Sequence, residues 1–366
     1  MYRTWLKKGD TVMAYMLCLA PIIACCASLA HESKSDGHLI IKPDAFQTLV
    51  NPKCSHCRDE AKRRAKELLD NERVLCWTRG YSDGGAIPLR FFLNTYRVIS
   101  DTYGVFVYDP DAGYARGYEP SLDFTFHGWR NGVMIMKHKD GTLYSCLTGV
   151  AFDGPRKGQK LKPIPTLVSD WGFWLSHYPQ NVAYHMFEKY VPVELPNSEN
   201  RDSVGTRTSA SNSNISANET VLGVCLENEF RAYHLTFGKG KLSEKSLLIP
   251  AHPEEGGRPD VFVFWHGPTK SAAAYRPKAT SPDGKATREL DLRCEEGKNA
   301  DAPWVDTNTG SHWDIAGRAV DGQLTGWTLE WIDSVQVKWF AWIAEHPDST
   351  IYGLSNDTPP RKPREK

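Results

Sequence analysis

Cys54-Ser55-His56-Cys57 is the segment whose residue types and spacing most directly suggest chemistry. A helix is predicted to run from Ser55 to Leu69, and a helix start favours negative charge. Two thiols so placed share a proton and gain thiolate character, which is the basis of a dithiol redox site. The same segment offers two soft ligands, with His56 as a third, to copper or zinc. No second Cys/His pair stands at matching spacing to complete a structural zinc site, and the terminal histidine of a haem attachment motif is missing. The blander reading gives Cys54 and Cys57 to disulfides, with Cys76 or Cys146 or with each other. His127, His138 and Cys146 form a second constellation, with His312 near the matching region further on. Imidazole and thiolate there would serve as metal ligands or as nucleophile and base, although such histidines more often satisfy backbone groups or sit at a wet surface. Copper or zinc is thus the cofactor class these residues suggest, and nothing in the sequence requires one.

The elements that must position these residues are short. Val105 to Tyr108, Val133 to Met136 and Val261 to Trp265 are β-branched or aromatic runs bounded by turn residues, hence strands. Two motifs recur at one spacing. Gly149-Val150-Ala151-Phe152-Asp153-Gly154 matches Gly317-Arg318-Ala319-Val320-Asp321-Gly322, and Trp171-Gly172-Phe173-Trp174 with Tyr178-Pro179 matches Trp339-Phe340-Ala341-Trp342 with His346-Pro347, both 168 residues apart. Val105 to Tyr108 pairs with Val261 to Phe264 at 156, and Ala86 to Leu89 pairs more loosely with Ala232 to Leu235 at 146, so loop insertions lengthen the second copy. At the offset of 168, Cys146 corresponds to Asp314 and Tyr144 to His312. Helices are expected over Ser169 to His177 and Ser334 to Glu345, each stopped by a proline-bearing pair. Asp153 and Asp321 read as turn caps rather than paired acid and base. Trp171, Trp174, Trp339 and Trp342 read as core residues, and the alternative places them with His312 along a ligand groove.

This reading gives a fold that is mainly β with short helices, a β-rich α+β chain built from two diverged copies of one strand-rich unit. The units span 72–190 and 219–353. A segment at 31–71 carries the Cys-x-x-Cys motif, a Ser/Asn/Thr-rich linker runs over 191–218, and a tail occupies 354–366. Met1 to Ala30 reads as a secretory signal: Arg3, Lys7 and Lys8 precede an apolar run from Val12 to Ala27. Cleavage after Ala30 gives a soluble exported protein in the periplasm or cell envelope, and the alternative is lipidation of Cys25. Membrane contact would then come only through that lipid or an uncleaved signal. Lysine plus arginine and aspartate plus glutamate both number 44, so no global field draws the chain to nucleic acid.

The residues resemble a bacterial domain-of-unknown-function family, number three-one-seven-nine. The likeness rests on Gly141-Thr142-Leu143-Tyr144-Ser145-Cys146-Leu147-Thr148-Gly149 with Gly154 and Gly158, and on Val221 to Val224 with Arg231-Ala232-Tyr233. It continues through Gly310-Ser311-His312-Trp313, Gly317-Arg318-Ala319, the Trp339 to Trp342 cluster and His346-Pro347. The resemblance implies an uncharacterised exported or lipoprotein-type protein. Many members carry a Cys-Pro-x-Cys segment after the central strand, where this chain has Tyr108-Asp109-Pro110-Asp111 and Trp265-His266-Gly267-Pro268, so no metal or thiol chemistry transfers to those positions.

A serine nucleophile elbow, a phosphate-binding glycine loop and a zinc-protease helix are all absent, which weighs against an enzyme of a common class. The leading expectation is an extracytoplasmic binding or interaction module with its ligand in a groove between the two units. The alternative is thiol redox or copper/zinc handling at Cys54, His56 and Cys57. No partner is specified by the sequence.

Overall fold

The computed structural model describes residues 39–352 apart from 65–67, 81–82, 91, 93–95, 186–214, 228, 238–240, 252–258, 296 and 298. The signal segment with Cys25, most of the linker and the C-terminal tail lie outside the described residues. Strands dominate, and no helix among the described residues is long and apolar enough to cross a membrane.

Two sheets repeat one pattern. The first runs Thr166–Asp170, Arg73–Arg79, Asp83–Pro88, Val182–Tyr184 and Cys54–His56. The second runs Ser334–Lys338, Thr220–Cys225, Phe230–His234 and Thr350–Tyr352. Each has a central antiparallel hairpin, an antiparallel strand on one side and a parallel strand on the other. Register agrees as well as order: Val168 faces Leu75 as Gln336 faces Leu222, and Ala183 faces Ala86 as Ile351 faces Ala232. Among the described residues the second sheet has no counterpart of the Cys54–His56 strand.

A seven-residue helix follows the outer strand in each case, Trp171–His177 in one and Trp339–Glu345 in the other. Both helices start later than the sequence suggested. Ser334–Lys338 pairs as a strand, with buried and half-buried side chains alternating from Val335 to Lys338, and Ser169 and Asp170 likewise end a strand. Each helix closes with an N–H to the carbonyl four residues back, Tyr178 to Trp174 at 2.7 Å and His346 to Trp342 at 2.9 Å. The proline that follows cannot extend the ladder. Likewise, among the described residues of the predicted 55–69 helix, Cys57–Arg63 is α-helical, and its start is later than predicted because Cys54–His56 is recruited to the sheet edge.

The loops carrying the repeated glycines also superpose in their chemistry. Gly149 and Gly317 hold φ of +70° and +73°, and a Cβ on either would lie about 2.6 and 2.5 Å from the rings of Tyr118 and Tyr275. Those tyrosines donate to the carbonyls of Cys146 at 2.9 Å and Ile315 at 2.8 Å.

The hydrophobic clusters are shared between the N- and C-terminal halves. Trp77, Phe106, Trp171 and Trp174 pack in one cluster with Phe264, Tyr275, Trp304 and Trp313. Tyr118, Phe126, Met134 and Cys146 pack in another with Val221, Val337, Trp339 and Trp342. Apolar surface left open by one half is thus removed from water by the other, which makes the halves mutually dependent for stability.

Candidate functional site

Burial decides the chemistry of the Cys-x-x-Cys segment. Cys57 is 0% exposed at the first turn of its helix, and its Sγ donates to the carbonyl of Val182 at 3.6 Å. Removal from water pushes its thiol up to about 12, and Cys54 is also raised by burial, against a hydrogen bond to Tyr103. Both shifts run opposite to the thiolate activation expected from the helix start, because desolvation disfavours the charged form and outweighs the dipole of a short helix. All six described cysteines are free thiols, so the proposed disulfides to Cys76 or Cys146 are not formed. Alkylation followed by mass spectrometry at pH 8 is expected to leave Cys57, Cys76 and Cys146 unmodified in the native protein and to label all three in denaturant. Rapid native labelling of Cys57 would contradict this placement.

The other proposed ligands are dispersed. His56 donates through Nδ1 to the carbonyl of Gln180 at 2.6 Å. His138 sits 3.0 Å from Asp140 and 3.7 Å from Asp123. His127 is lowered by burial and by Lys137, while Cys146 is fully buried in the second cluster with its thiol pushed far up. Among the described residues no group of three or more His, Cys, Asp or Glu is placed to hold a metal ion. The set proposed for copper or zinc is therefore not brought together.

The proposed tryptophan groove is corrected in the same way. Trp171, Trp174, Trp339 and Trp342 are each at most 1% exposed, so they pack the core and present no stacking face to a ligand. His312 pairs instead with Asp321 at 2.7 Å, which gives that aspartate a partner beyond its turn. Asp153 does cap its own turn, accepting from the N–H of Gly154 at 2.8 Å.

What the structure does assemble is a cleft of about 430 Å³ at the end of the 171–177 helix. One wall is Ser176 to Asn181, and the other is Asp314, Arg318 and Val320 from the C-terminal half. Its floor is a buried polar array. Tyr178 donates its hydroxyl to Asp314 Oδ2, and Asp314 Oδ1 accepts from the backbone N–H groups of Ala316 at 2.9 Å and Arg318 at 3.0 Å. The Arg318 guanidinium lies 4.2 Å from the centre of the Tyr178 ring. Burial raises the Asp314 carboxyl above its ordinary range, while the Tyr178 hydroxyl, the Arg318 backbone N–H and the Arg318 charge pull it back. On the rim, His177 donates through Nδ1 to the carbonyl of Phe173 at 2.8 Å and carries Nε2 3.5 Å from Asp301.

The 54–58 segment braces this cleft from behind. Cys57 and Arg58 donate backbone N–H groups to the carbonyls of Asn181 at 2.7 Å and Pro179 at 3.0 Å, and His56 takes Gln180. The motif singled out for chemistry thus supports the wall of a different site.

Residues 95–349, well over half of the chain, match the family model described as Protein of unknown function (DUF3179). The chain belongs to this family. No curated protein and no solved structure matches it. Both walls of the cleft fall within the DUF3179 stretch, whereas Cys54, His56 and Cys57 precede it. The DUF3179 match also contains both glycine-bearing loops and both helix-ending prolines. Sequence reasoning passed over Tyr178, Asp314 and Arg318 as a group. The signal available was the offset of 168: Asp314 and Arg318 stand opposite Cys146 and Val150, so one loop carries a carboxylate and a guanidinium where the other has a thiol and an isopropyl group.

Proposed function

We propose that this chain is an extracytoplasmic binding module made of two related units, whose ligand is a small polar molecule held in the cleft between Ser176–Asn181 and Asp314–Val320. The observation that carries this reading is the Tyr178–Asp314–Arg318 array, a set of buried polar groups drawn from both halves at the floor of an open cavity. Burying a carboxyl and a guanidinium is costly, and a cleft that converges on them has the composition of a small-molecule site. The volume suits a ligand of modest size. The shared order and register of the two four-stranded patterns support descent from one unit. The basic start and apolar run before residue 31 support export.

The reading is tested by screening a library of small polar molecules by NMR against the purified chain and against Val320→Trp. Val320 is 36% exposed on the cleft wall, so a tryptophan there fills the cleft at little cost to the core. Hits are expected to shift the amides of 176–181 and 314–320 and to lose at least about tenfold in affinity in Val320→Trp, the loss that follows when a contact surface worth roughly 1.4 kcal/mol is denied. Hits that ignore the substitution, or a library without hits, would remove the support for this site.

A further inference from the structure

The groups left open at the cleft point to a class of ligand, on the footing that it is the binding site proposed above. The charged floor is withdrawn from solvent. Asp314 is 0% exposed, with one oxygen committed to the Tyr178 hydroxyl and the other to the backbone of Ala316 and Arg318. Arg318 lies against the Tyr178 ring with Nε and Nη2 buried, and its charge offsets that of Asp314. An ion entering the cleft would shed its water without meeting an open countercharge, which is costly.

The remaining polar lining is neutral, and acceptors prevail in it. Ser176 Oγ spends its proton on the Phe173 carbonyl at 2.9 Å, which leaves its oxygen to accept. His177 Nδ1 spends its proton on the same carbonyl, so Nε2 is the acceptor of the neutral ring. Gln180 has its backbone carbonyl taken by His56, while its exposed side-chain amide both donates and accepts. A carboxylate has no proton for those acceptors, and an ammonium has no lone pair for the amide. A hydroxyl group donates and accepts at once. Pro179 and Val320 beside them supply apolar surface suited to C–H groups. We propose that the cleft takes a neutral polyhydroxyl molecule of sugar type, its hydroxyls on Ser176, His177 and Gln180 and its C–H surface on Pro179 and Val320.

The probes are the hexoses glucose, galactose and mannose, each compared with analogues in which the C6 hydroxymethyl group is replaced by a carboxylate or by an aminomethyl cation. Each is titrated into the purified chain at pH 7.5 and followed by the amide shifts of 176–181 and 314–320. At least one hexose is expected to shift these amides and to bind at least about tenfold tighter than both of its charged analogues, because an ion there leaves its charge unpaired. Gln180→Met is expected to weaken that hexose about threefold to tenfold, the worth of one neutral hydrogen bond, and Val320→Trp at least about tenfold. Gln180 is exposed, so its replacement leaves the core intact. A charged analogue that binds in the cleft as tightly as its hexose overturns the neutral assignment and leaves the cleft reading in place. Hexose binding indifferent to Gln180→Met or to Val320→Trp overturns it as well. If no hexose moves these amides the assignment fails, and the library screen decides the cleft separately.

Discussion

Arg116→Met is expected to destabilise the folded chain by about 3–5 kcal/mol, measured by denaturant unfolding at neutral pH. Arg116 sits on the Tyr114–Tyr118 strand with 3% of its side chain exposed, and its Nη1 meets Asp333 Oδ1 at 2.6 Å. Asp333 lies between two strands of the C-terminal half with 13% of its side chain exposed, so the pair fastens one half to the other. Burial works against both charges, and their mutual attraction outweighs it: the Arg116 guanidinium is raised and the Asp333 carboxyl lowered. Removing the arginine leaves that carboxylate with Lys160 at 3.3 Å, a lysine whose side chain is 44% exposed and screened by solvent. Because the desolvation cost of the pair is large, Arg116→Met combined with Asp333→Leu is expected to recover most of the loss. A single-substitution effect below about 1 kcal/mol would instead place the pair with ordinary surface bridges.

The features legible in the sequence are those written in contiguous strings. The glycine loops, the aromatic helices and the proline stops recur at one spacing, and each is built from neighbours in the chain. The strand-rich class followed from β-branched runs such as Val133 to Met136, which lies within the Val133–His138 strand. Misreadings arose where a global property decides a local one. Ser334 to Lys338 reads in sequence as part of the helix after it, whereas it pairs as a strand with Thr220–Cys225. A thiol at a helix start is activated only where that start is solvated, and burial of Cys57 reverses the sign. The cleft was invisible for a third reason: Tyr178 and Asp314 stand 136 residues apart, and neither has a motif around it that names the other. Only the docking of the two halves makes them neighbours.

Two buried groups set acid responses that oppose each other. His346 is 7% exposed, stacked on Phe230 with ring centres 3.9 Å apart and lying 4.3 Å from Trp342. Burial pulls its imidazole down to about 3, and the charges of Lys160 and Arg116 act in the same direction. Between its ordinary value of 6.5 and about 3, the unfolded chain takes up a proton that the folded chain refuses, so stability falls as pH drops through that window. Asp109 has the reverse sign. Burial raises its carboxyl from 3.8 to about 6, even though the N–H groups of Ala112 and Met134 favour the charged form. Between about 6 and 3.8 the folded chain binds the proton first, and stability rises as pH drops. Each group contributes a slope of roughly 1.4 kcal/mol per pH unit, so the two offset each other from about pH 6 to pH 4. His346→Phe, which keeps a ring against Phe230, is expected to gain about 3 kcal/mol relative to wild type across that interval. Asp109→Asn, whose amide oxygen still accepts from the backbone, is expected to lose a similar amount over the same interval. Unfolding free energies at pH 4, 5 and 6 for the three proteins check the signs. Groups that titrate alike in all three cancel in the differences, so parallel curves would mean that neither His346 nor Asp109 is held in its neutral form by the fold.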